Sequence, residues 1–140
     1  MIPLESRIEN LRAGYGELKS IFEQQGFILG GGYEYDHGFF DKPLDRESDK
    51  AHRVYLRVPI FSVRGNIEED NATIRLGKPF VLKHQFKAGP DDNVSTGVIS
   101  GLVDQFAEPA DKDDAVEPEW VERGKSALNQ LEQALEPLIR

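Results

Sequence analysis

The feature that most constrains this fold is the run of residues 53–64, in which apolar side chains at the even positions from 54 to 60 alternate with Arg53, Tyr55 and Arg57. Successive side chains of a β-strand point to opposite faces of a sheet, so the pattern predicts a strand with one buried face. Pro59 restricts that strand to an edge, a bulge or a break. Shorter runs of the same period at residues 72–76 and 80–87 complete the pattern of a half-covered antiparallel sheet. The apolar side chains of the first run are Val54, Leu56, Val58 and Ile60.

The third run, residues 80–87, alternates in the same way. Phe80, Leu82 and His84 alternate on what we take as the apolar face, with Lys83 on the opposite face. A histidine at an apolar position is more often a hydrogen-bonded core residue than a ligand. We therefore expect His84 to be buried.

Two amphipathic helices flank these strands. The first is predicted from residue 14 or 15 to residue 25, with Gly26 at its C-terminal end. The second begins near Pro118 and has Gly124 on its apolar stripe, where the helix could approach another backbone closely. Residues 1–140 are thus expected to form one α+β domain, an antiparallel sheet of about five strands with N-terminal and C-terminal helices covering one face. The stripe consists of Val121, Leu128, Leu131, Leu135 and Leu138.

A hairpin is predicted between the first helix and residue 42. Its strands are residues 27–35 and 37–42, with Asp36 and Gly38 suited to a tight connection. The three glycines at residues 30–32 precede a strand rather than a helix and lack the lysine of a phosphate loop. We expect them to mark a bulge or a site where another backbone packs closely. Further short strands are predicted within residues 2–8 and 97–106.

Composition excludes several classes of protein. The chain has no cysteine, so disulfides, thiol nucleophiles and zinc-thiolate sites are absent. Its net charge is −8, and residues 104–119 alone contain seven acids and one base. Such a chain repels nucleic acid and anionic membranes, so we predict neither as a partner. With no spanning segment or secretory signal visible, we expect a cytoplasmic protein, and we predict no cofactor.

Four short motifs carry a resemblance to a known family. They read YDHG at residues 35–38, LRVP at 56–59, LGKPF at 76–80 and QFAEPADKD at 105–113. In this combination the chain resembles the YugN-like family of small bacterial proteins over nearly its whole length. The resemblance implies a cytoplasmic domain and supplies no catalytic or binding residue.

The one candidate catalytic cluster centres on His37. An imidazole beside carboxylates can act in acid–base chemistry or bind a metal, and Asp36 and Asp41 are the nearest candidates. Adjacent residues of an extended strand face opposite ways, so only a turn could bring Asp36 and His37 together. A turn stabilised by their hydrogen bonds and an exposed binding surface are the competing interpretations, and we predict no metal site.

A basic sheet face is the candidate binding site. If the register is simple, its side chains project from the three alternating runs to one side of the sheet. Such a face could bind a small anionic metabolite or a neighbouring subunit, or it could be an ordinary solvated strand face. A non-enzymatic binding or interaction domain, forming a homodimer, is the leading hypothesis; a regulatory small-anion domain and a small hydrolase or isomerase at His37 are the alternatives. The predicted ligand-binding residues are Arg53, Tyr55, Arg57, Arg75 and Lys83.

Overall fold

The computed structural model describes residues 1–45, 52–85 and 116–139. Two α-helices and seven strands alternate unevenly along these ranges, and a 3-10 turn over Glu136–Leu138 follows the last helix. The predicted strand at residues 97–106 and the acidic stretch up to residue 115 lie outside the described residues. The elements are β1 (Ile2–Pro3), β2 (Arg12–Gly14), α1 (Tyr15–Gln24), β3 (Ile28–Leu29), β4 (His37–Pro43), β5 (His52–Arg64), β6 (Thr73–Leu76), β7 (Phe80–Gln85) and α2 (Pro118–Ala134).

Strand β5 is the axis of the sheet. Its four apolar even-numbered side chains, residues 54 to 60, are at most 1% exposed, so the predicted alternation is confirmed. Strand β4 pairs with one edge of β5, while β7 and then β6 pair with the other, all antiparallel. Pro59 lies beside a break in the neighbouring row of strands, as one of the expected alternatives required. It faces the gap between β6 and β7, where its carbonyl accepts a hydrogen bond from Gly77 N at 2.8 Å.

The seven strands form five rows in the sheet, because β6 and β7 share one row and β1 and β2 share another. Strands β6 and β7 run in one direction along β5 with residues 77–79 between them, and β1 and β2 pair with their outer edges. The order is therefore β3, β4, β5, then β7 with β6, then β1 with β2. The α+β class is confirmed, but the described residues hold seven strands where about five were expected, and two of them, β1 and β2, precede α1.

Both helices bury their apolar stripes in one core with the even-numbered face of β5. Gly124 sits where α2 crosses β7, and a Cβ there would meet Cγ2 of Val81 at 2.5 Å. None of the helices in the described ranges is long and apolar enough to cross a membrane. The buried helix residues are Tyr15, Leu18, Phe22, Gly124, Leu128 and Leu131.

The link between β3 and β4 differs from the predicted hairpin. The two strands pair, but β3 has only two residues and the connection runs over residues 30–36. A Cβ added at Gly31 or Gly32 would meet no atom of the described residues within 4 Å, and neither glycine has a positive φ. The expected close packing is therefore absent at these two glycines, whereas a Cβ at Gly30 would lie 3.7 Å from the backbone oxygen of Phe39. The close approach occurs at Gly38, where a Cβ would lie 2.7 Å from Cβ of Tyr33.

The C-terminal end of α1 is closed by a side chain from β4. Gly26 has φ +89°, as a helix-terminating glycine does, and Lys42 Nζ donates to the carbonyl of Gln25 at 2.7 Å. A cation at this end also interacts favourably with the helix dipole.

Substituting Lys42 with methionine is expected to lower the free energy of unfolding by about 1 kcal/mol, because the carbonyl and the dipole lose their cation. Urea denaturation measures the change. Lys19→Met is the matched control, because Lys19 lies on α1 and pairs with Glu23 at 3.7 Å, not with the carbonyl of Gln25. It should change stability by less than about 0.5 kcal/mol. Equal losses in the two variants would contradict the capping role.

Candidate binding face

The side of the sheet opposite the two helices presents a row of aromatic and basic residues, here called the open face. Cross-strand partners project to the same side of a sheet, so the register defines its members. Phe61 pairs with His37 and Arg75, and Arg57 pairs with Asp41 and Phe80. The open face comprises Arg12, Ile28, His37, Phe39, Asp41, Tyr55, Arg57, Pro59, Phe61, Arg64, Arg75, Phe80, Leu82 and His84.

Arginines stack on aromatic rings at two places on this face. The guanidinium carbon of Arg57 lies 4.4 Å from the ring centroid of Phe39, and that of Arg75 lies 4.6 Å from Phe61. Such contacts are favourable electrostatically and keep a charged group flat on an apolar surface. The open face therefore combines apolar area with fixed positive charge.

Arg57 and Asp41 form a two-pronged ion pair in the middle of the open face. Arg57 Nε donates to Asp41 Oδ1 at 2.8 Å, and Nη2 donates to Oδ2 at 2.9 Å. The side chains are 21% and 11% exposed. This geometry is the strongest arrangement of an arginine and a carboxylate, so Arg57 is already occupied by a partner within the chain.

The predicted ligand-binding set is only partly brought together. Tyr55, Arg57 and Arg75 share the open face, and Arg53 occupies the register position opposite His84, although its side chain lies outside the described residues. Lys83 does not join them. It pairs in register with the buried Val54 and therefore projects to the helix face.

The faces predicted for the side chains of β7 are therefore wrong, because the assignment is shifted by one residue. Val81, not Leu82, points into the core, and Lys83 Nζ reaches the carboxylate of Glu117 at the start of α2 at 3.0 Å. His84 is exposed on the open face, in edge contact with Tyr55 at 6.3 Å between ring centroids, and not buried as expected. A one-residue slip moves every side chain of a strand to the other face.

The three candidate catalytic residues, Asp36, His37 and Asp41, do not meet at one site. His37 Nδ1 and Asp36 Oδ1 lie 2.8 Å apart on a tight turn closed by Glu34 N donating to the carbonyl of His37, and both side chains are about half exposed. Asp41 is four residues further along β4, about 13 Å away at strand spacing. Within the described ranges no three histidine, aspartate or glutamate side chains form a metal-binding group. The turn interpretation therefore accounts for Asp36 and His37.

Tyr15 carries a buried hydroxyl that no other described residue bonds. Burial, with smaller contributions from Glu68 and Tyr33, raises the pKa of Tyr15 to about 12. The phenol consequently stays protonated at neutral pH, which does not suit a general base.

The loop at residues 30–36 is anchored to the turn after β5. Tyr33 Oη donates to Glu68 Oε1 at 2.7 Å, and this bond raises the pKa of Tyr33. The backbone N of Ile67 donates to the carbonyl of Tyr35 at 2.8 Å. Tyr35 itself is 67% exposed at the loop tip, beside the His37 end of the open face.

Several members of the open face escaped the sequence patterns. Phe61 could have been predicted from the sequence, because it continues the odd-numbered positions of β5. Arg12 was not, because β2 has three residues and its pairing with β6 crosses about 60 residues of chain. The partnership of Asp41 with Arg57 likewise follows from the register between two strands.

The fold and the open face define a small α+β protein in which two helices cover one side of an antiparallel sheet. The chain belongs to the YugN-like family, whose model matches residues 3–135. The resemblance seen in the motifs is therefore confirmed.

Relatives support this assignment over almost the whole chain. The protein is 36% identical to the uncharacterized protein YugN of Bacillus subtilis (strain 168) over 135 residues, which is 96% of this chain and 98% of that protein. It is 28% identical to the uncharacterized protein YlbA of the same organism, over 61% of this chain and 68% of YlbA. The crystal structure of the uncharacterized conserved protein YugN from Geobacillus kaustophilus HTA426 superposes with a TM-score of 0.71 at 21% identity, covering 99% of this chain and 97% of that one. The last likeness shows the shared fold.

Proposed function

We propose that this protein is a non-catalytic interaction domain that binds a second copy of itself through the open face. The observation that carries the proposal is the location of the exposed large apolar side chains. Apart from Met1, those in the described ranges belong to β3, to β5 or to the loop that joins β3 to β4. Exposed apolar side chains gathered on one part of a sheet are typical of interaction sites on soluble domains. The side chains are Ile28, Tyr33, Tyr35, Phe61 and Val63.

Charge and size both favour a second copy as the occupant. A twofold interface uses the same patch on both subunits, so a net charge at its centre would oppose itself. Here the central Arg57 is neutralised by Asp41. Five rows about 4.8 Å apart and about nine residues long give a face of roughly 700 Å². This is close to the roughly 800 Å² that each partner buries in a standard interface.

Sedimentation velocity tests the proposal directly. We expect the wild-type chain at about 100 µM to sediment with about twice the 15.8 kDa chain mass, and Ile28→Asp to sediment as a monomer. Ile28 is 62% exposed on the edge strand β3, so the new charge opposes association and leaves the folded chain intact.

Ser126→Asp provides the matched control, because it adds the same charge on the exposed side of α2. It should leave the dimer unchanged. A monomeric wild type at this concentration would contradict the proposal, and so would a dimer that resists both Ile28→Asp and Phe61→Asp.

The two alternative functions place different demands on the site. A hydrolase or isomerase centred on His37 finds no support in the described ranges, because His37 stands on an exposed turn away from Asp41. A regulatory anion site at Arg57 would have to displace Asp41 first. Within the part of the chain that the structure describes, the open-face arginines without a carboxylate partner, Arg12, Arg64 and Arg75, lie at the other end of the face. A cytoplasmic location stays a prediction from the sequence.

A further inference from the structure

Three arginines lie together at one end of the open face. Arg12 and Arg75 are direct cross-strand partners. Arg64 lies opposite Thr73, two residues before Arg75 on β6, because a β-bulge after Ser62 shifts the register of β5 by one residue. Direct partners project to the same side, and so do residues two apart on one strand. Arg12, Arg64 and Arg75 are therefore neighbours on one surface, here called the arginine corner.

The arginine corner has no carboxylate partner among the residues that the structure describes. Arg12 and Arg64 are exposed, and neither side chain makes an ion pair or hydrogen bond within those residues. By contrast, Arg7 pairs with Glu136 at 2.9 Å and Arg57 pairs with Asp41. In a chain of net charge −8, three arginines left without acids are unusual. Like charges directly opposite across two strands also oppose folding unless an anion lies between them.

One of the three guanidinium groups is held in position before any ligand binds. Arg75 Nη1 donates to Asn10 Oδ1 at 3.2 Å, and the group stacks on the ring of Phe61. A neutral amide and an aromatic ring orient the guanidinium without neutralising its charge. A group fixed in this way loses less conformational entropy when it binds an anion.

We infer that the arginine corner binds the diphosphate group of a small metabolite. Planar guanidinium groups engage phosphate oxygens in pairs, and each phosphate group carries between one and two negative charges at neutral pH. A diphosphate with about three charges matches three arginines, whereas one carboxylate or one phosphate would leave charge uncompensated. The inference goes beyond self-association and is tested separately from it, because the corner belongs to the open face and a dimer that covers the whole face would compete with the ligand.

Isothermal titration with inorganic pyrophosphate at about 50 mM salt tests the site, since higher salt would screen exposed charges. We expect saturable 1:1 binding to the wild type. Arg12→Gln and Arg64→Gln should each weaken it about tenfold, because each removes one charge-assisted contact. Arg7→Gln removes the same charge from a side chain that pairs with Glu132 and Glu136 outside the corner, and it should change the affinity less than about twofold.

Titrations with ADP and with inorganic phosphate identify what the corner recognises. Affinity for ADP equal to that for pyrophosphate would assign recognition to the diphosphate alone, and tighter binding of ADP would add contact to the rest of a nucleotide. Inorganic phosphate bound as tightly as pyrophosphate would overturn the diphosphate assignment. Absence of saturable binding, or an equal loss in Arg7→Gln, would overturn the site itself.

Two checks separate this inference from folding and from self-association. Arg12 and Arg64 are exposed, so melting temperatures of their glutamine variants should match the wild type within a few degrees. The monomeric Ile28→Asp variant should bind pyrophosphate at least as tightly as the wild type, because Ile28 lies on β3 at the far edge of the sheet from β2 and no partner covers the corner. Failure of either proposal is therefore visible without the other.

Discussion

Replacing Gly124 with alanine is expected to lower the free energy of unfolding by about 2 kcal/mol, because one added methyl overpacks the contact between α2 and β7. In an exposed helix interior the same change stabilises by about 1 kcal/mol. The sign reverses here because a Cβ at position 124 would lie 2.5 Å from Cγ2 of Val81. Val81 is fully buried and its branched side chain is stiff, so the helix must move away from the sheet.

Urea denaturation of four variants, Gly124→Ala, Val81→Ala, their combination and the control Ser126→Ala, isolates that contact. Ser126→Ala, on the exposed side of the same helix, should keep or raise stability by up to about 0.5 kcal/mol. Combining Gly124→Ala with Val81→Ala should cost less than the sum of the two single changes, by about 1 kcal/mol, because the smaller side chain makes room for the methyl. If Gly124→Ala stabilises the protein as Ser126→Ala does, α2 does not pack this closely on β7.

Gly124 also illustrates what the sequence can predict about packing. Its place on the apolar stripe of α2 indicated a close approach, and the approach is present. The predicted neighbour was a backbone, whereas the nearest atom belongs to the side chain of Val81. A helical period specifies which face of a helix is buried, but the residue that it meets depends on long-range packing.

Strands were predictable where their two faces differ strongly in polarity. Strand β5 alternates without exception through Ile60, and its burial follows that pattern. In β7 the adjacent Val81 and Leu82 are both apolar, so the period alone allows two assignments. The inward position of Lys83 is explained by Glu117 at the start of α2, a partner that no local pattern contains. The predicted face was wrong for this reason.

The candidate site was predictable to the same degree. Tyr55, Arg57 and Arg75 follow from alternation within single strands and do share a face. The partners that decide their chemistry come from elsewhere: Asp41 neutralises Arg57, and Arg12 adds charge beside Arg75. Because those pairings depend on register between strands, the basic face inferred from the sequence divides into a neutral centre and a charged corner.

Removing the charge of Arg57 is expected to be costly because Asp41 cannot easily reach water. In Arg57→Leu the apolar part of the side chain is kept, while a carboxylate that is 11% exposed loses both of its donors. Breaking a largely buried pair in this way lowers the free energy of unfolding by about 3 kcal/mol. Asp41→Leu should cost less, about 1 to 2 kcal/mol, because Arg57 is 21% exposed and its long side chain can extend toward solvent.

The double variant Asp41→Leu/Arg57→Leu distinguishes loss of the ion pair from loss of packing. With no charge left unpaired, its stability should return to within about 1 kcal/mol of the wild type, which gives a coupling energy of about 3 kcal/mol in the double-mutant cycle. Additive losses would contradict a coupled pair. The same three proteins bear on self-association: either single variant leaves an uncompensated charge at the centre of the open face and should weaken the dimer, whereas the neutral double variant should retain it. Stability and dimerisation would then follow the same charge balance at one pair of residues.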